Sequence, residues 1–267
     1  MKIGKETVPR TAICTSDAHT IVVRGRDLSK ELIGRISFVE HFCLLLNGRL
    51  PTEGEARVLN ATLVAIAEHG LVPSVQAARM TFAAAPDAMQ GAVAAGILGC
   101  GSVVLGSSET AGRMYSEIAA AVSGGTALDE AALSVPRAWR AAGRSVPGYG
   151  HPLHKERDAR VDALFAVARE AGTDLAFVRI AEAVEARMPE ILGKPLKLNV
   201  SGAIPAVLLG AGFPVVALKG VPILARTAGL IAHLVEEMAK PSGFALSYQA
   251  TREVAYEGEV PEGFHPA

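Results

Sequence analysis

The sequence has 267 residues, half of them apolar, 46 of them alanine and only 5% aromatic. Lys plus Arg number 26 and Asp plus Glu 27, a net charge of −1, so no basic excess points to a nucleic acid or an anionic membrane as partner. So apolar a chain with so little net charge is not disordered, and its length allows one large domain or two modest ones around a real core.

An alanine-rich, aromatic-poor composition favours tightly packed helices over sheets. The first ten residues lack the apolar stretch of a signal peptide, and strand-like patterning is confined to 20–24 and 253–256. Ser37 and Glu40 form a capping box that opens a helix running through Leu46 and stopping near Gly48. Thr52 and Glu55 repeat that start signal, and Val58, Leu59, Leu63, Ile66 and Ala67 follow at helical spacing towards Gly70. Ser74 is placed as the cap of a third helix reaching about Ala85, and 88–98 reads as a Gly/Ala-rich helix suited to close approach by a neighbour. Further helices are expected over 110–122, 129–142, 158–171, 174–188, 204–209 and 222–240. Gly/Pro breaks fall at 124–125, 147–152, 193–195 and 214–222, and no repeat of 20–50 residues is present. The expected fold class is all-α and two-lobed, with minor strand content near the ends. Residues 1–107 and 219–267 would form a large domain and 108–218 a small one, with a ligand cleft between them.

Two uncharged runs, 88–108 and 198–218, approach the length of a membrane span. The first carries five glycines and the second is cut by Pro205 and Pro214. Neither has an aromatic belt or a one-sided cluster of basic residues, so both read as buried helices of a soluble core. Cys14, Cys43 and Cys100 are odd in number and widely spaced, which fits reduced thiols in the cytoplasm better than a disulfide framework.

Three polar clusters interrupt this apolar chain. Glu68-His69-Gly70 closes a helix, where a histidine is either a cap stabilised by the helix dipole or a functional group. The segment from Pro147 to Arg160 brings His151, His154, Lys155, Arg157, Asp158 and Arg160 together after a turn containing Gly148 and Gly150. Such a turn lets backbone amides face a ligand, and a histidine can donate to a developing oxyanion. His151 and His154 could instead ligate a metal, but no cysteine or second histidine pair accompanies them, so no metal is expected. Arg226 stands on an otherwise apolar helix and needs an anion. Glu236 or Glu237 could supply it internally, or a carboxylate ligand could, since a guanidinium grips carboxylates with two parallel hydrogen bonds.

Taken in order, these segments resemble the citrate synthase superfamily. The similarity runs over about residues 20–258. It begins at Val23-Arg24-Gly25-Arg26-Asp27, Ser37-Phe38 and Leu50-Pro51-Thr52. It continues with Glu68-His69-Gly70-Leu71 and Ala77-Ala78-Arg79. It is closest at Gly148-Tyr149-Gly150-His151 with Lys155, Asp158 and Arg160, and at Ala225-Arg226 through Gly229 to Ala232-His233. The spelling is similar to a divergent bacterial branch of citryl-CoA lyases. The resemblance implies a homodimer acting on a coenzyme A thioester and a di- or tricarboxylate. His69 and His151 would hydrogen-bond the substrate carbonyl or hydroxyl oxygen, and Arg160 and Arg226 would clamp its carboxylates. Lys155 would meet a CoA phosphate, with Gly148 and Gly150 in the loop that contacts the adenine end. Lys240-Pro241 or Arg252 would correspond to an arginine lent across the dimer.

Two departures stand beside these matches. Leu105 occupies the place of the family's enol-stabilising histidine, and Ser201 that of the aspartate that removes the methyl proton. A serine hydroxyl is a poor base at neutral pH, and a positioned acid–base group contributes roughly 10²–10⁴-fold. Glu109, at a helix start, is either a simple helix-start acid or a replacement base. The expected activity is cleavage of citryl-CoA, or a related 3-hydroxy-3-carboxyacyl-CoA, to acetyl-CoA and a 2-oxo acid. The alternatives are a non-catalytic CoA-thioester or carboxylate binder, and an altered condensing enzyme or thioesterase using Ser201.

Overall fold

A computed structural model describes residues 9–101, 105–150 and 157–264. It is dominated by helices: α1 (Phe38–Asn47), α2 (Glu53–Ala67), α3 (Pro73–Ala84), α4 (Met89–Leu98), α5 (Ser107–Ser123), α6 (Leu128–Ala141), α7 (Ala159–Glu170), α8 (Ala176–Leu192), α9 (Val200–Gly210), α10 (Gly220–Ala239) and α11 (Gly243–Glu253). The chain separates into two compact units. One takes the described residues of Met1–Ile66 and Leu105–Pro222, the other those of Ala67–Val104 and Ile223–Ala267.

The first unit starts with a small antiparallel sheet of β1 (Cys14–Ser16), β2 (Ile21–Val23) and β3 (Arg26–Asp27), in that order. Arg24 and Gly25, between β2 and β3, both have positive φ, 49° and 81°, as a tight hairpin turn demands. The Arg24 side chain donates to Leu45 O from Nε (2.9 Å) and Nη2 (2.5 Å), and Val23, Leu32 and Leu44 bury together beneath. Ser37 completes its capping box with Glu40, and Gly48 closes α1 at φ 72°. Thr52 and Glu55 likewise exchange hydrogen bonds at the start of α2. Helices α5, α6, α8 and α9 pack on one another, with α7 against α9. Met114, Tyr115, Ile118, Phe165, Met188, Ile204 and Leu208 are fully or almost fully buried in this unit. Trp139 on α6 is buried too; its Nε1 donates to Glu117 Oε2 (2.6 Å) and Arg144 lies 3.9 Å over its ring.

The second unit packs α3 on α4 and α11 on α3. Its core joins Val75, Ala78 and Phe82 of α3, Ala92 of α4, and Leu230 and Leu234 of α10. A β-carbon on Gly229 would stand 2.1 Å from Ala67 O, so only glycine lets α10 approach the end of α2 this closely.

Two sequence expectations change and a third is extended. Ser74 does not cap α3: the N-cap is Val72, with Pro73 in the first helical position, where its missing N–H costs nothing. Ser74 lies one residue inside the helix and is buried. The stretch 253–256 is not a strand, because Glu253 ends the additional helix α11. The strand expected over 20–24 belongs to a three-strand sheet whose other members are too short to read by alternation. Among the described residues one helical stretch, Val215–Ala239, is long and apolar enough to cross a membrane. It carries the buried charged residues Arg226 and Glu237. Cys14, Cys43 and Cys100 are all unpaired thiols, and burial pushes Cys43 up to about 11.

Candidate functional site

In the first unit the glycine turn and the starts of α7 and α9 form one polar knot. Gly148 and Gly150 have φ of 89° and 81°. A β-carbon on Gly148 would lie 2.7 Å from Gly202 Cα, so both glycines are needed for the turn to sit on α9. Asn199 caps α9 by accepting from Ser201 N (2.9 Å), and its Nδ2 donates to Gly150 O (2.5 Å). Asn199 N donates to Gly148 O and Gly150 N to Lys197 O. The Gly150 amide is therefore already engaged within the protein.

Asp158 caps α7 and is 3% exposed. Its oxygens accept from Arg160 N (3.1 Å), Nε (3.0 Å) and Nη2 (2.9 Å), and from Val200 N (3.3 Å). Burial alone would raise this carboxyl. The side-chain and backbone hydrogen bonds from Arg160 outweigh it and hold Asp158 below the ordinary value of 3.8. Arg160 is thus presented by a buried carboxylate that occupies one edge of its guanidinium. Behind the turn, the buried Tyr149 hydroxyl donates to Ala181 O (2.9 Å) and meets Tyr115 Oη at 3.0 Å. Ser201 sits in the first turn of α9; among the described residues it makes no hydrogen bond to a histidine or a carboxylate. Glu109, in the first turn of α5, is held by Arg113 four residues on, 2.6 Å away, as a helix-start acid would be. Leu105 has a left-handed backbone, φ 68°, which is uncommon for a bulky side chain. His151, His154 and Lys155 lie outside the described residues.

The second unit presents the opposite arrangement. Arg226 on α10 is 4% exposed, and its Nε and Nη1 have no hydrogen-bond partner among the described residues. Glu236 and Glu237, its expected internal partners, are bound to Arg79 of α3 instead. Ser74 Oγ, 1% exposed, makes no standard hydrogen bond among the described residues but reaches the Cys100 thiol. Burial raises the Cys100 thiol, while a hydrogen bond with Ser74 and the Arg226 charge act in the opposite direction. Buried donors left unsatisfied are costly, about 1–3 kcal/mol each and more when charged, and such groups in a native protein ask for a ligand. A guanidinium edge and a hydroxyl beside a thiol would suit a carboxylate. His69 lies at the exposed end of α2 in this same unit, its amide donating to Glu68 Oε1 (2.8 Å). Arg252, on α11, is exposed and stands over the Tyr248 ring, and Lys240 is exposed at the end of α10.

The structure thus groups Gly148, Gly150, Arg160 and Ser201 in one unit, and His69 and Arg226 in the other. It adds Asp158, Asn199, Ser74 and Arg79, which the sequence reading gave no site role. Asp158 and Asn199 carried a legible signal, each being a capping residue just before a helix. Arg79 and Ser74 carried none, since their neighbours come from distant stretches of chain. Among the described residues no group of three or more His, Cys, Asp or Glu is placed to hold a metal.

A helical fold with a few short strands at its start, carrying a buried guanidinium two of whose nitrogens find no hydrogen-bond partner among the described residues, defines the class as an all-α scaffold. Residues 5–244 match the family model described as Citrate synthase, C-terminal domain, and the chain belongs to the citrate synthase family. It is 33% identical to the citryl-CoA lyase from Hydrogenobacter thermophilus, with a TM-score of 0.83 over 97% of this chain and 98% of that one. The ATP citrate lyase from Methanothrix soehngenii, solved with citrate and coenzyme A, shares the fold at 24% identity and TM-score 0.77, over 99% of this chain and 44% of that one. A citrate synthase of Haloferax volcanii is 26% identical over 205 residues, 76% of this chain. The chain spans about half, 52%, of that relative's length. Within the superfamily the chain is of the citryl-CoA lyase-like branch.

Proposed function

We propose that this protein cleaves citryl-CoA, or a related 3-hydroxy-3-carboxyacyl-CoA, to acetyl-CoA and a 2-oxo acid. The observation that carries the reading is Arg226, a buried guanidinium with two donor atoms unsatisfied among the described residues, in a fold shared over 97% of this chain with a citryl-CoA lyase. In the cleavage a base takes the tertiary hydroxyl proton, the carbon–carbon bond breaks, and its electron pair passes to the thioester as an enolate. Proton return to the enolate carbon gives acetyl-CoA. A neutral imidazole suits the first step, and His69 and His151 are the candidates. Arg160, Arg226 and, from a partner subunit, Arg252 or Lys240 would bind the carboxylates; Lys155 would meet a CoA phosphate. Leu105 and Ser201 stand where the family's enol-forming groups belong, so catalysis here would rest on oxyacid binding and hydroxyl deprotonation. A cytoplasmic homodimer, with lobes of 1–107 plus 219–267 and of 108–218, completes the proposal.

Incubation with citryl-CoA, followed by assay of oxaloacetate and acetyl-CoA, tests it: turnover that disappears in His151→Ala is expected. The loss of both enol-forming residues favours a second reading, a non-catalytic binder of CoA thioesters. Calorimetric binding of CoA with no product at any pH would establish that reading and end the first.

A further inference from the structure

One cluster in the second unit has no part in the scheme above. Glu68 just past α2, Arg79 of α3, and His233, Glu236 and Glu237 of α10 meet there, joined by Ser242 at the start of α11.

Donor counting fixes its protons. A guanidinium can only donate. Arg79 Nη2 and Nε lie 2.7 Å and 3.2 Å from His233 Nδ1, so Nδ1 accepts and the ring proton stands on Nε2. That nitrogen lies 2.8 Å from Glu68 Oε2, within ion-pair distance but without hydrogen-bond geometry. The other Glu68 oxygen, Oε1, accepts two successive amides, His69 N at 2.8 Å and Gly70 N at 2.5 Å. Arg79 is anchored from behind by Glu237 (2.9 Å), by Glu236 and by Ser242 Oγ (3.2 Å). Glu237, almost fully buried, also accepts from Ser242 N (2.7 Å), Ser242 Oγ (2.7 Å) and Gly243 N (2.6 Å). An unbroken chain of polar contacts therefore runs from the start of α11 through Glu237, Arg79, His233 and Glu68 to the backbone of His69 and Gly70. The absence of a side chain on Gly229 admits Glu68 to this position, since a β-carbon there would stand 3.3 Å from Glu68 Oε2. The backbone of a connection is generally more mobile than the elements it joins. The Glu68 carboxylate, accepting from the His69 and Gly70 amides and with the His233 ring beside it, restrains that backbone.

We propose that Arg79, His233 and Glu68 are positioning residues: they hold His233 as its Nε2–H tautomer and so fix the His69–Gly70 turn that aims His69 at the substrate. The kinetic consequence rests on the role given to His69 above; the tautomer and the fixed turn do not.

Two measurements decide it. In ¹⁵N NMR the His233 ring should report the Nε2–H tautomer. The His69 and Gly70 amides should exchange at least about tenfold faster in His233→Leu. His233→Gln should restore their protection, because its amide can accept from Arg79 and donate to Glu68. In citryl-CoA cleavage, folded His233→Leu should lose about 10- to 100-fold in kcat with CoA affinity unchanged, and His233→Gln should recover most of it. A purely structural role would lower the melting temperature without this split or rescue. An Nδ1–H tautomer, unchanged exchange in His233→Leu, or a folded His233→Leu with wild-type kcat would each overturn the proposal. If His233→Leu does not fold, Glu68→Ala, a change at a half-exposed position, should free the same two amides, and their continued protection would be equally fatal. Wild-type protein that does not cleave citryl-CoA would sink the proposed function, and the NMR measurements would still judge the relay.

Discussion

The two units treat their polar groups in opposite ways. Around the Gly148–Gly150 turn the polar groups largely answer one another: Asp158 takes three donors from Arg160 and one from Val200, and Asn199 ties the turn to α9. Around Arg226 the acids that could neutralise it serve Arg79, and two Arg226 nitrogens keep no hydrogen-bond partner among the described residues. Satisfied networks hold backbone in place; unsatisfied ones hold free energy that a ligand can release. The first knot holds a loop in shape, whereas the second leaves donors that the proposed carboxylate would satisfy.

The largest effect should come from Arg226→Met. Citrate or citryl-CoA affinity, measured by calorimetry, should fall by about 2–5 kcal/mol, the usual result of removing one partner of a buried charge pair. The ligand-free melting temperature should hold or rise, because an unpaired buried charge is lost; a fall of several degrees would mean that the guanidinium is structural. Gly148→Ala should do the reverse. It should destabilise the fold by about 2–4 kcal/mol in denaturant melts, through its positive φ and its collision with Gly202. Asp158→Asn should cost about 2 kcal/mol in the same assay, by weakening the cap of α7 and releasing Arg160.

Acid provides a subtler contrast. Glu237 and Glu68 are raised by burial but brought below the ordinary 4.5 by their polar neighbours, for Glu237 chiefly Ser242 and for Glu68 chiefly the adjacent His233 ring, then the Gly70 amide. Groups depressed in this way stabilise the folded state fully above pH 4.5 and lose that contribution as pH falls through their folded values. Denaturation midpoints should be flat from pH 7 to 5 and decline below, and Glu237→Gln should flatten the decline. The smallest effect should be that of Ser74→Ala: ligand binding weaker by roughly fivefold, about 1 kcal/mol, with no loss of ligand-free stability. A clear drop in stability would show that its hydroxyl has a partner within the fold.

Much of the fold was legible because its signals are local. Ser37 with Glu40, Thr52 with Glu55, Asp158 and Gly48 all mark helix ends through contacts only a few residues long. Ser74 misled because a serine before an apolar run imitates a cap, whereas Val72 with Pro73 starts the helix. Helix α11 was hidden by its polar, Gly-started sequence, which has no strong period. The importance of Arg226 was legible as a charge on an apolar face. Its isolation was not, since that depends on Arg79, about 150 residues earlier, capturing Glu236 and Glu237. The resemblance to citrate synthases supplied the order of the site segments, which no short-range pattern contains.

Trp139 offers a last consequence. It is the only tryptophan in the chain and lies in the first unit, buried between Glu117 and Arg144. Its fluorescence therefore watches that unit alone, whereas circular dichroism sums the helices of both. Coincident melts by the two signals would mean that the units open as one cooperative body. A circular-dichroism transition that precedes the fluorescence change would instead mean that the unit carrying Arg226 opens on its own, with its ligand acting as the missing part of its fold.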